Sequence, residues 1–360
     1  MIFVEVIAMT EVEMLAKYLE NEHELDRNGL VRLLTYDDAV LIYAAADRTR
    51  KKFVGDDVHL RGLIEFSSYC CRTCFYCGLR SSNNTIRRFR MKPEQIIECA
   101  KYAVGCGLKT IVLQSGEDKS YTLNQLCKIV QEIKCMDVAV TLSIGELSKY
   151  EYDILKKEGA DRYLLRIETS NEKLYERLHP EMSYKNRLRC LDDLKELGYE
   201  VGTGCLIGLP GQTPEMLADD LLFFKKLDAD MIGMGPFIPC AGTPIQYEEG
   251  GSVGTVLRMM ALARLLMPDI NIPATTALGV KDSDGYRKGL ICGANVIMPN
   301  MGSEQYRKLY AIYPGKEEEV ANLYDQLEGI KHFILREGRK IGNHCGNRRN
   351  CEEINDCTSS

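Results

Sequence analysis

No stretch of this chain stays apolar for the roughly eighteen residues that a bilayer crossing demands, so the sequence offers no transmembrane helix. The opening run Met1-Ile2-Phe3-Val4-Glu5-Val6-Ile7 is apolar but short, lacks a basic leader and carries Glu5, so it does not read as a secretory signal. Low-complexity segments are absent too. Nor is there an excess of positive charge: the formal net charge is −6, which argues against nucleic acid as a main partner. No second C-x2-C or H-x3-5-H pair completes a zinc site around the one close cysteine group. Cysteine itself is plentiful. Fifteen in 360 residues point to a reducing compartment, read as the cytoplasm, where thiols hold metal or pack as small hydrophobes. An apolar content of 45% with 27% charged residues suits a globular enzyme. A chain of this length buries about three-quarters of its unfolded surface without disulfide staples, as one large domain or two ordinary ones.

From about Thr10 to Lys52 apolar residues recur at helical spacing, through Met14-Leu15-Tyr18-Leu19 and Ala39-Val40-Tyr43-Ala44. Thr35 with Asp38 reads as a capping-box start for the second helix. Residues 1–55 are therefore expected to form an N-terminal helical cap. From Leu63 the pattern changes. Short β-branched runs at 62–66, 109–113, 138–143, 161–167, 200–206, 230–235, 271–275 and 293–297 read as strands. Between them lie helix candidates at 93–105, 122–135, 148–158, 171–197 (broken at His179-Pro180), 214–227, 253–267 and 284–290. Pro93 and Pro214 sit where a helix start tolerates proline, and Gly159 and Gly198 where helices should end. This α/β alternation predicts a (β/α)8 TIM-type barrel over 56–315, with a doubly wound open sheet as the alternative. Residues 316–360 read as a C-terminal extension, helical around 317–337 and then irregular.

The densest chemistry lies at Cys70-Cys71-Arg72-Thr73-Cys74-Phe75-Tyr76-Cys77, a C-x3-C-x2-C run after the apolar Leu63-Ile64-Glu65-Phe66. A 4Fe–4S cluster normally takes four cysteines, one per iron. Cys70, Cys74 and Cys77 supply three, leaving one iron open as catalytic metal sites do. Cys71 falls outside the spacing and reads as a bystander. A zinc site is the alternative, but its second pair is missing, and a disulfide knuckle suits a short secreted chain instead.

In a barrel the active site lies at the C-terminal ends of the strands. There fall Gln114-Ser115-Gly116-Glu117-Asp118, the Thr141-to-Glu146 stretch with Ser143, Arg166-Ile167-Glu168-Thr169, Gly208-Leu209-Pro210-Gly211, Pro236-Phe237-Ile238-Pro239 and Thr275-Thr276. Arg166 and Glu168, two apart, share a face. They form either a mutual ion pair or a ligand site in which Arg forks a carboxylate and Glu accepts from hydroxyls. Backbone groups at Ser115-Gly116 could meet a ligand or simply turn. Thr275 and Thr276 suit an ordinary strand. His179 reads as a surface or loop histidine, and Arg87-Arg88-Phe89-Arg90-Met91-Lys92 as a solvated basic face.

The cysteine spacing, with an aromatic before its last member, resembles the radical S-adenosylmethionine (SAM) superfamily. Ile64-Glu65-Phe66-Ser67, Cys77-Gly78-Leu79-Arg80, Ile111-Val112-Leu113-Gln114-Ser115-Gly116-Glu117-Asp118 and Tyr163-Leu164-Leu165-Arg166 narrow the resemblance to the [FeFe]-hydrogenase maturase HydE family. Gly208-Leu209-Pro210-Gly211-Gln212, Gly235-Pro236-Phe237-Ile238-Pro239, Asn271-Ile272-Pro273-Ala274-Thr275-Thr276 and Ala294-Asn295-Val296-Ile297-Met298-Pro299-Asn300 continue it over roughly 50–315. Biotin synthase and methylornithine synthase are near that family.

The resemblance implies a complete (β/α)8 barrel with a 4Fe–4S cluster and SAM at its top. It implies reductive cleavage of SAM to methionine and a 5′-deoxyadenosyl radical in building the hydrogenase diiron subcluster. It also implies a small-molecule or organometallic substrate, a reductant such as ferredoxin or flavodoxin, and possible work beside HydG and HydF. Carried over by motif, Cys70, Cys74 and Cys77 would ligate the cluster and Tyr76 would contact adenine. Gln114, Ser115 and Gly116 would lie along the methionine end of SAM, Glu168 would take the ribose hydroxyls and Arg187 the methionine carboxylate. Arg166, Ser143, Thr275 and Thr276 would line a deeper substrate cavity, and Tyr310 and Tyr313 would close the mouth.

Two positions near that cavity depart from the family pattern: Ile167 and Cys240 stand where it has histidine. Some members hold a second cluster soon after the Pro-Gly-Lys found here at 314–316, where this chain has Glu317-Glu318-Glu319. Cys345, Cys351 and Cys357, with His344 adjacent, could take an accessory metal or remain loose thiols. Two other functions remain open at this point: a HydE-like enzyme of another pathway, such as a methylornithine-like rearrangement, and an iron–sulfur electron carrier.

Overall fold

The computed structural model describes residues 10–315 and 322–348. The chain enters through three helices, α1 (Glu11–Glu22), α2 (Arg27–Thr35) and α3 (Val40–Val54). Thr10 and Glu13 close a reciprocal capping box on α1, and Asp26 caps α2 by accepting from Gly29 N. The expected Thr35–Asp38 cap is not formed. Thr35 is the last residue of α2 and returns its hydroxyl to Val31 O at 2.9 Å, while Asp38 accepts from Val40 N at 3.0 Å.

The barrel follows. Its first strand runs as two pieces, β1 (Asp57–Leu60) and β2 (Gly62–Ser67), that meet at Arg61. Then come α4 (Pro93–Gly105), β3 (Thr110–Ser115), α5 (Leu123–Lys134), β4 (Ala139–Ser143), α6 (Lys149–Lys157) and β5 (Arg162–Leu164). They are followed by α7 (Glu172–Leu178), α8 (Tyr184–Glu196), β6 (Glu200–Ile207), α9 (Pro214–Leu227), β7 (Met231–Pro236) and α10 (Val253–Leu266). The last barrel strands are β8 (Pro273–Ala274) and β9 (Val296–Ile297), with α11 (Thr276–Lys281) and α12 (Gly285–Ile291) between them. Local chemistry explains the boundaries. Pro93 and Pro214 start α4 and α9, Thr122–Gln125 and Ser148–Glu151 boxes cap α5 and α6, and Gly159 and Gly198 turn the chain at φ 110° and 73°.

All strand pairs are parallel. β2 through β7 pair in sequence order, and β8, β9, β1 form the second arc. Hydrogen bonds join the arcs at both seams: Ile232 N donates to Asn271 O at 3.0 Å, and Leu63 N to Pro299 O at 2.9 Å. The ring is thus closed, which an open doubly wound sheet cannot be. β2 and β7 are buried along their whole length, as strands covered on both faces must be. The expected strands at 161–167, 271–275 and 293–297 prove shorter: β5 stops at Leu164, β8 keeps only Pro273–Ala274, and β9 starts at Val296. After α13 (Glu304–Arg307) and α14 (Leu323–Arg336), β10 (Lys340–Ile341) pairs with β1. Past β10 the tail is irregular, as expected, and it packs across the floor. Gly346 O accepts from Arg61 Nη2 at 2.9 Å, and Arg348 pairs with Asp269 at 2.9 Å and Asp228 at 2.6 Å.

Two further expectations change. The basic run is a solvated face only in part: Arg87, Arg90 and Lys92 are exposed, but Arg88 donates to the carbonyls of Ser68, Leu79, Arg80 and Asn83, Arg90 pairs with Asp118 at 2.6 Å, and Phe89 and Met91 are buried. His179 is not at the surface but only 1% exposed.

Candidate active site

The cysteine loop leaves β2 at the C-terminal end of the barrel, where it folds over the end of β3. A Cβ on Gly116 would stand 2.3 Å from Tyr69 O and 2.7 Å from Cys70 Cβ, so only glycine lets the loop close this tightly. Cys70, Cys74 and Cys77 are unbridged and partly exposed. Backbone N–H groups of Arg72 and Glu117 each donate to Cys70 Sγ at 3.4 Å. Burial pushes all three thiols up, Cys74 to about 12; Cys74 feels the charge of Cys70, and Cys77 that of Cys74 and Cys70. Among the described residues no three His, Cys, Asp or Glu groups stand close enough to share one metal ion. A cubane asks for something wider, since each cysteine takes its own iron. Three unbridged thiols on one loop, with N–H donors aimed at sulfur, fit such a cluster. Cys71, exposed and 4.0 Å from Glu117 Oε2, stays out of the set.

A buried carboxylate hub anchors this loop. Glu146, after β4, accepts from Arg187 Nε at 2.8 Å, Asn186 Nδ2 at 2.9 Å and Arg72 Nη2 at 3.1 Å. Glu117, after β3, accepts from Arg72 Nε at 2.5 Å and Glu146 N at 3.1 Å, and burial pushes its carboxyl up against the pull of Arg72. Gly145, at φ 89°, makes room for it, because a Cβ there would overlap the Glu117 side chain. Sequence reasoning missed Arg72, Glu117, Glu146 and Asn186 as a unit. The one available signal was that both glutamates closely follow barrel strands.

Across the mouth, Glu65, Gln114 and Ser143 stand at one register level of β2, β3 and β4. Gln114 Nε2 donates to Tyr310 OH at 3.3 Å, and Asn300 Nδ2 to Glu65 at 2.8 Å. Tyr310 is buried, while Tyr313 keeps some exposure and feels the charges of Glu65 and Arg166. Ser115 donates its hydroxyl to Gly116 O at 2.7 Å. Thr275 precedes α11 without a side-chain cap bond and donates its hydroxyl to Met234 O at 3.3 Å, and Thr276 opens that helix. Cys240 lies against Gly78, next to Cys77, since a Cβ on Gly78 would come within 2.8 Å of its sulfur.

Arg166 and Glu168 form an ion pair at 3.0 Å, with 27% and 12% of their side chains exposed. Glu168 holds a left-handed backbone at φ 64°, stabilised by its N–H to Gly204 O at 2.9 Å and by Leu206 N donating to its carbonyl at 3.2 Å. Burial raises its carboxyl, against the pull of Arg166 and Arg187. Ile167 differs from both. It is 0% exposed and belongs to the apolar core, and its N–H donates to Thr203 Oγ1 at 3.2 Å. Arg187 is committed to Glu146 and Arg166 O, and its guanidinium lies 5.7 Å from the Tyr175 ring centre. Cys345 gives its carbonyl to Thr110 and Arg162 at the opposite end of the barrel, and Cys351 and Cys357 lie outside the described residues.

Residues 64–224 match the Radical SAM superfamily. The chain is 49% identical to the [FeFe] hydrogenase maturase subunit HydE of Thermotoga maritima over 348 residues, 95% of this chain and 98% of that one. It is 30% identical to 3-methylornithine synthase of Methanosarcina acetivorans, over 85% of this chain and 88% of the relative. The crystal structure of methylornithine synthase (PylB) superposes with a TM-score of 0.82 at 27% identity, covering 91% of this chain and 97% of that one.

Proposed function

Because the chain belongs to the radical SAM superfamily and, within it, to the [FeFe]-hydrogenase maturase HydE family, we propose that it cleaves SAM reductively in maturation of the hydrogenase diiron site. The observation that carries this reading is the three-thiol loop at the C-terminal end of a closed barrel, the only end where this architecture builds active sites. Cys70, Cys74 and Cys77 would hold a 4Fe–4S cluster, which would supply the one-electron chemistry for reductive cleavage of SAM.

The chain's own residues bind and orient. Tyr76 meets adenine, Glu168 accepts from the ribose hydroxyls, and Arg187 lies toward the methionine carboxylate with Gln114, Ser115 and Gly116 alongside. Arg166, Ser143, Thr275 and Thr276 line the inner space for a small-molecule or organometallic substrate, under Tyr310 and Tyr313. Ferredoxin or flavodoxin delivers the electron in the cytoplasm, and HydG and HydF work in the same assembly.

Anaerobic reconstitution tests the reading. About four irons per chain and 5′-deoxyadenosine formed from SAM and a reductant are expected, both lost in Cys74→Ala. Zinc in place of iron, with no SAM cleavage, would overturn it.

A further inference from the structure

The turn between α7 and α8 grips the cysteine loop along its length. Phe75 N donates to Leu178 O at 2.9 Å, Thr73 Oγ1 to Pro180 O at 3.4 Å, and Cys74 Sγ lies 4.0 Å from Met182 Sδ. At the centre Tyr76 OH meets His179 Nε2 at 2.7 Å. The other ring nitrogen, Nδ1, stands 2.7 Å from Tyr175 O, and the His179 ring stacks on Tyr175 with centroids 4.1 Å apart.

These contacts assign the protons. A carbonyl oxygen only accepts, so Nδ1 must carry hydrogen. Burial and nearby Arg187 hold the imidazole neutral, its pKa lowered to about 3, so Nε2 keeps its lone pair. The hydroxyl of Tyr76 is then the donor. Its ring is tied down before any ligand arrives, and pre-set groups bind with less ordering cost.

We propose that His179 is a positioning residue for SAM: by accepting the Tyr76 hydroxyl proton, it fixes the aromatic ring between Cys74 and Cys77 in the orientation that receives the cofactor. The proposal rests on the reading that Tyr76 meets SAM. It adds a residue that touches neither cluster nor cofactor and acts through Tyr76 alone.

Two isosteres separate the contacts. Gln at 179 places an acceptor where Nε2 stands, while Asn keeps only a donor near Nδ1. In anaerobically reconstituted protein, His179→Asn is expected to weaken SAM binding about fivefold, one neutral hydrogen bond, at unchanged iron content. His179→Gln should stay within about twofold of the parent. In a Tyr76→Phe background the two variants should bind SAM alike. Equal affinities of Asn and Gln variants in the parent, or a difference that survives in Tyr76→Phe, would overturn the proposal. The tautomer is read without SAM, from long-range 1H–15N correlations of the apoprotein. Nδ1–H, with an Nε2 signal that moves in Tyr76→Phe, is expected, and an Nε2–H ring would refute the assignment. Absence of SAM binding by the reconstituted parent would instead count against the functional reading alone.

Discussion

Arg187 donates through Nε to Glu146 at 2.8 Å, with both side chains under a tenth exposed, and this pair ties α8 to the loop after β4. Because Glu146 also holds Arg72 of the cysteine loop, the contact supports the cluster and a candidate SAM ligand together.

Removing the cation leaves Glu146 buried with weaker partners. Arg187→Ala is expected to cost about 3 kcal/mol of stability, the scale of a broken buried pair, and to weaken SAM binding roughly tenfold or more. Urea unfolding and equilibrium binding measure the two effects. An unchanged unfolding midpoint would show that Arg72 and Asn186 suffice to hold the hub.

Glu168→Gln should behave differently. The substitution keeps shape and removes a charge that burial already penalises. Stability is expected to change little, while SAM affinity falls about tenfold through loss of charge-assisted contacts to ribose. Full affinity in this variant would make the Arg166–Glu168 pair purely structural.

Ile167 offers a sharper test of which face it occupies. Placing an imidazole at a fully buried apolar position costs about 1–3 kcal/mol when its nitrogens find no partner. Ile167→His is therefore expected to lower stability by that amount and leave SAM affinity unaltered. Normal stability with altered substrate binding would put residue 167 in the cavity.

Asp220 should make stability fall with rising pH. It is fully buried and accepts from Ser170 N at 2.5 Å and Ser170 Oγ at 2.7 Å, and burial pushes its carboxyl up to about 7. Between about pH 4 and pH 7 the folded chain keeps a proton that the unfolded chain has released. Its stabilising share is thus complete below pH 4 or so and lost as pH rises through about 7. Asp220→Asn cannot ionise, so its stability relative to the parent should rise between pH 5 and pH 8 in denaturant titrations. A pH-independent difference would count against an elevated Asp220.

Local signals carried much of the architecture. Proline at a helix start, helical spacing of apolar residues or a β-branched run acts on its own neighbours, so α4, α9, α5 and the strands from β2 to β7 were readable in order. The cysteine spacing was readable for the same reason, since all its ligands sit on one loop. Strand ends were less so, because beyond β5 the backbone is shaped by β6, whose Gly204 receives the N–H of Glu168.

Three features needed the tertiary structure. His179 looked like a loop histidine because nothing near it in sequence is its partner; Tyr76 lies 103 positions away. Glu146 looked like any glutamate after a strand until α8 and the cysteine loop brought Arg187, Asn186 and Arg72 to it. Ile167 read as a departure near the cavity, and only the fold shows that it is fully buried. The sequence by itself determined the elements, their order and the three thiols, because periodicity, capping and spacing are properties of adjacent residues. Only the tertiary structure decided which polar groups are buried and whom they meet, because burial and charge pairing arise when distant segments close on one another.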